Sequence, residues 1–205
     1  MGADAVSFGG TARIGDRISV TMQESDHIGA FVVVKGQVHR RDRCLARGRL
    51  KLWLKPANEA PATAPGLDAA ASSIILPPLN QAITSAALHP LAWESDHTIV
   101  RSFCFPPTFS AFQGHFAGNP VLPAFAQVRV VLAMLASAWQ SPIALERLDK
   151  ARFREPLRPG QTVQVRVCIE ETPETCRVSA TLTHEGRPLS SFQTTVRKIH
   201  TAPSR

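Results

Sequence analysis

The stretch that decides the fold is Phe112 to Val131, FQGHFAGNPVLPAFAQVRVV. Its first part is rich in glycine and proline, which favour irregular loops. The residues after Pro123 are almost all apolar, and a proline suits the first turn of a helix because its missing N–H group would have no partner there. The sequence therefore predicts a loop that leads into a buried helix ending near residue 138.

His115 lies in this loop among glycines and Phe116, shortly before the helix. Most lone loop histidines are surface residues, but a neutral imidazole at a partly apolar site can abstract a weakly acidic proton near neutral pH, such as the α-proton of a thioester. A helix start offers free backbone N–H groups and a positive dipole end. We therefore expect His115 to act as a base, and the N–H group of Ala124 to hold a carbonyl oxygen that gains negative charge.

Alternating apolar and polar residues on both sides of this stretch predict strands. They lie at 17–24, 27–40 and 44–54, and again at 98–105, about 143–153, 161–171, 176–185 and 190–199. One buried helix combined with an antiparallel sheet is an α+β arrangement. Residues 55–72 are rich in alanine and proline, which is typical of a linker.

The first strands resemble later ones, which suggests an internal repeat. GDRISVTM at 15–22 matches GQTVQVRV at 160–167 at an offset of 145 residues. The first copy then corresponds to the last three strands of the second half, without the loop and the helix. Three alternatives stay open: the first copy is degenerate, the start of the reading frame that encodes it has been lost, or the strands resemble each other by chance. We predict a partial repeat at 1–54, a linker at 55–80, a complete domain at 81–200 and a tail at 201–205.

The loop and helix resemble the active-site segment of the 3-hydroxyacyl-acyl-carrier-protein dehydratases, in which a GHFPGxPxxPG run leads into the central helix of a hot-dog fold. The matching positions are Gly114, His115, Phe116, Gly118, Pro120 and Pro123. The resemblance implies a long central helix wrapped by an antiparallel sheet. It also assigns the role of carbonyl donor to the position of Ala124, where the family usually has glycine.

Further substrate contacts are expected around this segment. The candidates are Phe112, Phe116, Gly118, Leu122, Gln127 and Arg129, with Phe112, Phe116 and Leu122 as walls of an acyl channel. Gln127 lies on the helix face of Pro123 and could reach the loop, although it fits an ordinary packing role equally well.

Arg129 is the main departure from the family. The resemblance implies a Glu or Asp fourteen residues after the histidine, which protonates the leaving hydroxyl group, and this position holds Arg129. An arginine cannot donate that proton at neutral pH. No Asp or Glu occurs between Phe105 and Leu145.

Three explanations for the missing acid stay open. In the first, His115 works with water or with Asp96 or Asp149. In the second, another chain supplies the acid, and in the third the domain retains only binding or another thioester reaction. Arg129 itself would contact a ligand phosphate or carboxylate, or form a structural ion pair.

The expected activity is dehydration of a 3-hydroxyacyl thioester in fatty-acid or polyketide-like synthesis. A non-catalytic subunit that binds acyl chains or completes a partner's site is the alternative outside enzymes, and an acyl thioesterase is the alternative among them. We expect no metal and no cofactor, because phosphopantetheine arrives with the substrate. The resemblance also implies a homodimer, or a heterodimer with a related subunit.

Composition narrows the partners. The net charge of +7 favours an acidic partner such as acyl carrier protein, or acyl-CoA. Nucleic acid is disfavoured because tyrosine is absent and no binding motif occurs. The four scattered cysteines form no CxxC pair, which disfavours zinc and fits a reducing compartment. The first ten residues, MGADAVSFGG, lack the basic start and apolar run of a signal peptide, and polar residues interrupt the apolar stretch from Val121 to Trp139. We therefore predict a cytoplasmic protein without a membrane span.

Overall fold

The computed structural model of the chain describes residues 2–13, 15–29, 31–53, 78–116, 118–172 and 175–199. The N-terminal strands are β1 (Gly2–Phe8), β2 (Ser19–Ile28), β3 (Phe31–Arg40) and β4 (Arg43–Trp53). They are followed by α1 (Leu79–Ser85), β5 (Ala92–Ser95), β6 (Thr98–Cys104) and α2 (Ala124–Trp139). The last strands are β7 (Ile143–Phe153), β8 (Thr162–Glu171), β9 (Cys176–His184) and β10 (Arg187–Lys198).

All ten strands form one antiparallel sheet in the order β2-β3-β4-β1-β7-β10-β9-β8-β6-β5. Strand β8 shows why this sheet has an inner face: Val163, Val165 and Val167 alternate with exposed polar residues and are fully buried. Helix α2 supplies the other half of the core, where Val131 and Leu135 are fully buried. The predicted α+β arrangement is confirmed.

The predicted helix and strands are observed within a few residues, with three additions. Strand β1, helix α1 and strand β5 were not predicted. Helix α1 has seven residues and β5 has four, so neither is long enough to show a clear period. Pro123 precedes the helix as its N-cap instead of lying in the first turn.

The domain limits stay a prediction. Helix α1 begins at Leu79, two residues inside the predicted linker. The rest of that linker from residue 55 to 77, and the tail at 201–205, lie outside the described residues.

The N-terminal strands repeat the C-terminal ones. Their order β2-β3-β4-β1 matches the order β8-β9-β10-β7, so the partial repeat has four strands rather than three. Strands β1 and β7 pair with each other at the centre of the sheet. The described part of the N-terminal copy has no counterpart of α2 before β4 ends.

No helix among the described residues is long and apolar enough to cross a membrane. Within the same residues, no group of three or more His, Cys, Asp and Glu side chains is arranged to hold a metal ion.

Candidate active site

His115 is held in the loop before α2 by two contacts with Val121. The His115 ring atom Nδ1 lies 3.0 Å from the Val121 carbonyl oxygen, and the Val121 N–H group donates to the His115 carbonyl over 2.8 Å. Because a carbonyl oxygen only accepts, Nδ1 carries the proton and Nε2 of the neutral ring keeps its lone pair. Within the part of the chain that the structure describes, Nε2 of this half-buried ring has no hydrogen-bond partner and is available as a base.

The loop needs a glycine directly before this histidine. Gly114 has a φ of +73°, a conformation that residues with a side chain rarely adopt. The His115 N–H group donates to Phe112 over 3.1 Å, which closes the turn. The turn that places His115 therefore depends on the backbone conformation of the glycine in the motif.

Helix α2 starts three residues after Val121 and presents an unpaired N–H group. The N–H groups of Ala126 and Gln127 donate to the carbonyl oxygen of Pro123. The Ala124 N–H group has no acceptor within the helix, and among the described residues none outside the helix accepts from it either. The exposed Ala124 can therefore donate to a ligand carbonyl at the positive end of the helix dipole.

The segment between His115 and α2 is bound to the loop that joins β7 to β8. The Leu122 N–H group donates to the Leu157 carbonyl over 2.8 Å, and both side chains are buried. The Arg158 guanidinium donates to the side-chain oxygen of Asn119. These two contacts connect the His115 loop to residues that are far away in the sequence.

Gln127 is buried and uses both ends of its amide within the protein. Its amide nitrogen donates to the Leu122 carbonyl over 3.1 Å, and its oxygen accepts from the Ser190 hydroxyl over 2.6 Å. The predicted substrate contact stays untested, but this geometry favours the packing alternative. Through Leu122, Gln127 also reaches the loop, as its position on the helix suggested.

Replacing Gln127 with alanine leaves the Ser190 hydroxyl and the Leu122 carbonyl without partners. An unpaired buried polar group costs about 1–3 kcal/mol, so we expect the free energy of unfolding to fall by about 2–4 kcal/mol. Urea unfolding followed by circular dichroism measures the change. Ser137→Ala on the exposed side of α2 is the control and changes stability by less than about 0.5 kcal/mol. An equal effect of the two substitutions would contradict this role of Gln127.

The aromatic candidates divide into one buried and one exposed ring. Phe112 is buried, and its ring packs edge-on against Phe109 at 6.0 Å between centroids. Phe116 is 59% exposed and stacks on the His115 ring at 4.3 Å. Phe116 is therefore open to a ligand beside the histidine, as is the exposed Gly118, whereas Phe112 and Leu122 contribute to the core beneath it.

Arg129 contacts helix α1. Its guanidinium donates to the side-chain oxygen of Asn80 over 2.5 Å. This partner is a neutral amide, so the described residues do not show the ion pair considered from the sequence, whereas the ligand contact stays a prediction. The arginine instead ties α1 to α2.

Neither alternative acid within this chain contacts the His115 loop in the described residues. Asp149 on β7 accepts from Arg147 and, over 3.1 Å, from the Thr195 hydroxyl. Asp96 is exposed in the turn between β5 and β6. The described geometry therefore gives no support to an acid from these two residues.

Two groups outside the site have clearly shifted pKa values. Burial raises the pKa of the Cys176 thiol to about 11, so this cysteine is neutral and a poor nucleophile at physiological pH. Hydrogen bonds from the Arg13 backbone N–H group and the Arg40 side chain lower the pKa of Asp16. Neither residue contributes to the chemistry of the His115 loop.

Basic residues of β4 and β7 come together on the sheet. Lys51 and Arg152 face each other across Gly2, and Arg49 and Lys150 face each other across Asp4. All four basic side chains are exposed. Strand β1, which was not predicted, joins them into one basic surface.

Sequence reasoning did not predict the contacts that Asn119, Arg158 and Asn80 make around the site, although Arg158 was expected to belong to a basic group near it. Asn119 lies inside the motif, and this position was the only sign in the sequence that it could belong to the site. Arg158 and Asn80 act through contacts with residues far away in the sequence, which only the fold reveals.

The antiparallel sheet, the buried helix α2 and the His115 loop before it agree with the hot-dog arrangement that the sequence motif implies. Residues 92–192, just under half of the chain, match the model of the ApeI-like family, described as ApeI dehydratase. This match confirms the predicted resemblance to the dehydratases for that region.

Two curated relatives show the same resemblance. The 3-hydroxyacyl-[acyl-carrier-protein] dehydratase FabZ of Lactobacillus helveticus is 37% identical over 67 residues, which is 29% of this chain and 45% of the relative. The FabZ of Desulforamulus reducens is 36% identical over 87 residues, covering 39% and 61% of the two chains. The chain thus spans about half the length of the curated relatives it matches.

Two solved structures resemble nearly the whole chain. One is a hot-dog protein of unknown function from Alicyclobacillus acidocaldarius, with a TM-score of 0.59, 10% identity, and coverage of 98% of this chain and 79% of that one. The other is the tesB protein of Mycobacterium avium subsp. paratuberculosis, with a TM-score of 0.62, 8% identity, and coverage of 97% and 78%. These likenesses confirm the predicted hot-dog fold.

Proposed function

We propose that this chain dehydrates 3-hydroxyacyl thioesters on acyl carrier protein to trans-2-enoyl thioesters, in fatty-acid or polyketide-like synthesis. The observation that carries the proposal is the His115 ring, whose Nδ1 is held by the Val121 carbonyl while Nε2 stays free. This nitrogen lies in a loop that leads directly to the unpaired N–H group of Ala124.

The residues have distinct roles in the reaction. His115 Nε2 takes the α-proton of the thioester, and the electron pair of that C–H bond forms the new carbon–carbon double bond. The Ala124 N–H group stabilises the carbonyl oxygen while negative charge develops on it. The hydroxyl group leaves as water after it receives a proton from a carboxylic acid. No metal or bound cofactor takes part, and phosphopantetheine arrives with the substrate.

A second chain supplies this carboxylic acid in our proposal. Arg129 occupies the family's acid position and is bound to Asn80, and the described contacts of Asp149 are to Arg147 and Thr195. The partner in this proposal is a related subunit that keeps the carboxylic acid on its helix, because a second copy would again present Arg129. The protein is then part of a heterodimer. The exposed basic surface across β1 fits an acidic carrier protein.

The test mixes the purified chain with a related dehydratase subunit whose own histidine is replaced by alanine. The substrates are 3-hydroxybutyryl thioesters of acyl carrier protein and of coenzyme A, and enoyl absorbance reports the product. We expect the mixture to form enoyl product faster than either chain alone. We also expect the acyl-carrier-protein thioester to react faster than the coenzyme A thioester. Full activity of this chain alone would overturn the shared site, and no enoyl product in any combination would overturn the dehydratase.

A further inference from the structure

The turn between β3 and β4 and the loop before β2 enclose an open cleft, which we call the arginine cleft. Its volume is about 870 Å³. Most of its walls are charged, and the charged side chains are Asp16, Arg17, Arg40, Arg41, Asp42 and Arg43. These four arginines and two aspartates give the walls a net charge of +2. The cleft therefore favours an anion that carries two negative charges.

Hydrogen bonds fix two of these arginines in place. The Arg40 guanidinium donates to the Asp16 carboxylate over 2.7 Å. The Arg43 guanidinium donates to the Gly9 carbonyl oxygen over 3.0 Å. The Arg13 N–H group also donates to Asp16 over 2.7 Å, which ties the loop to the same carboxylate. The charged groups themselves thus join the loop before β2 to the turn between β3 and β4.

Arg17 and Arg41 are the arginines of the cleft that stay available for a ligand. Both are exposed, and neither side chain has a hydrogen bond or an ion pair within the residues that the structure describes. A guanidinium group presents several N–H donors in one plane, which match the oxygens of a phosphate group. A phosphate monoester carries a charge of about −1.5 to −2 near pH 7, so it also matches the charge of the walls.

The C-terminal repeat forms the same loop. There the Arg158 N–H group donates to the Gln161 side-chain oxygen over 2.7 Å. In the N-terminal repeat the Arg13 N–H group makes the equivalent bond to Asp16, exactly 145 residues earlier at both ends. The loop and its closing hydrogen bond are therefore features of the repeated fold.

The cleft beside this second loop lacks the arginines. Thr162 lines it at the position of Arg17, and Glu185 lines it at the position of Arg41. Arg41 and Glu185 are equivalent because each begins its hairpin turn with a positive φ, of +52° and +49°. No arginine or lysine is among the described residues that line this second cleft. The fold alone thus explains the cleft but not the arginines of the N-terminal copy.

One wall of the arginine cleft is apolar. Ile18 lines the cleft and is 47% exposed. A ligand with an apolar group beside its phosphate removes this side chain from water, which free inorganic phosphate does not do. We propose that the arginine cleft binds the phosphate monoester of a small organic molecule. This inference does not depend on which reaction His115 serves.

Titration of the full chain with phenyl phosphate tests this site. Phosphorus NMR at fixed ionic strength gives the dissociation constant, and inorganic phosphate is the second ligand. We expect phenyl phosphate to bind more tightly than inorganic phosphate. Arg17→Gln loses a charge-assisted hydrogen bond, so we expect it to weaken binding about tenfold. Asp42→Asn removes a negative charge from the same walls, so we expect it to strengthen binding about threefold.

Arg187→Gln is the matched control. Arg187 is exposed at the end of the C-terminal hairpin that corresponds to Arg43, and it is not among the described residues that line the second cleft. The variant loses the same charge as Arg17→Gln at a distant place. We expect it to bind phenyl phosphate as tightly as the unchanged chain.

Each outcome decides for or against the proposal. Saturable binding that Arg17→Gln weakens, Asp42→Asn strengthens and Arg187→Gln preserves supports it. No saturable binding, or equal loss in the two arginine variants, overturns it. Cosedimentation with phosphatidylcholine vesicles that contain phosphatidic acid, without saturable binding of phenyl phosphate, also overturns it, because the phosphate would then belong to a lipid. No thioester is present in these titrations, so their failure is distinct from failure of the proposed dehydration.

Discussion

Replacing His115 with alanine lowers the rate of crotonyl thioester hydration about 10²–10⁴-fold, the usual contribution of a general base. Hydration is the reverse of dehydration and uses the same groups. The variant loses Nε2, which is the free nitrogen of a ring held by Val121. The measurement is the loss of enoyl absorbance, with the partner subunit present.

His89→Ala is the matched control for this prediction. His89 is exposed and lies before β5, and its contact with Arg101 uses the backbone carbonyl, which alanine retains. We expect the control to keep the unchanged rate. A His115→Ala variant that is folded and equally fast would remove the base from the proposed mechanism.

Replacing Ala124 with proline lowers the same rate about 10²–10³-fold, as the loss of one oxyanion-hole donor does. Ala124 is the first residue of α2, where proline is well tolerated and removes only the free N–H group. Pro123 already has the extended conformation that a following proline requires, with φ of −57° and ψ of 150°. The helix therefore persists while the donor is lost.

Ala124→Gly separates the N–H group from the side chain. Glycine keeps the N–H group, so we expect a rate close to that of the unchanged chain. Thermal unfolding of all three proteins checks that α2 is intact. A slow glycine variant, or a fast and folded proline variant, would contradict the role of this N–H group.

The helix and the C-terminal strands could be predicted because their apolar residues recur at the spacing of a buried helix or of a strand with one buried face. Strand β8 alternates almost perfectly, and α2 is apolar on most sides. Strand β1 was missed although it joins the two repeats. Its sequence GADAVSF has only a weak alternation, and its place at the centre of the sheet depends on β4 and β7.

The loop, the histidine and the start of the helix could be predicted from the motif because they lie close together in the sequence. The partners that hold them could not be predicted. Arg158 reaches Asn119, and Ser190 reaches Gln127, across long stretches of sequence. The hydrogen bond of Arg129 could not be predicted either, because its partner Asn80 lies in a helix that is too short to show a clear period.

The most direct test of a dehydratase site is hydration of a crotonyl thioester by the purified chain with a partner subunit, with enoyl loss and free thiol measured in the same sample. A dehydratase consumes the double bond and leaves the thioester intact, so we expect enoyl loss without thiol release. Thiol release at the rate of enoyl loss would identify a thioesterase, and an unchanged enoyl signal would leave the His115 loop without its proposed reaction.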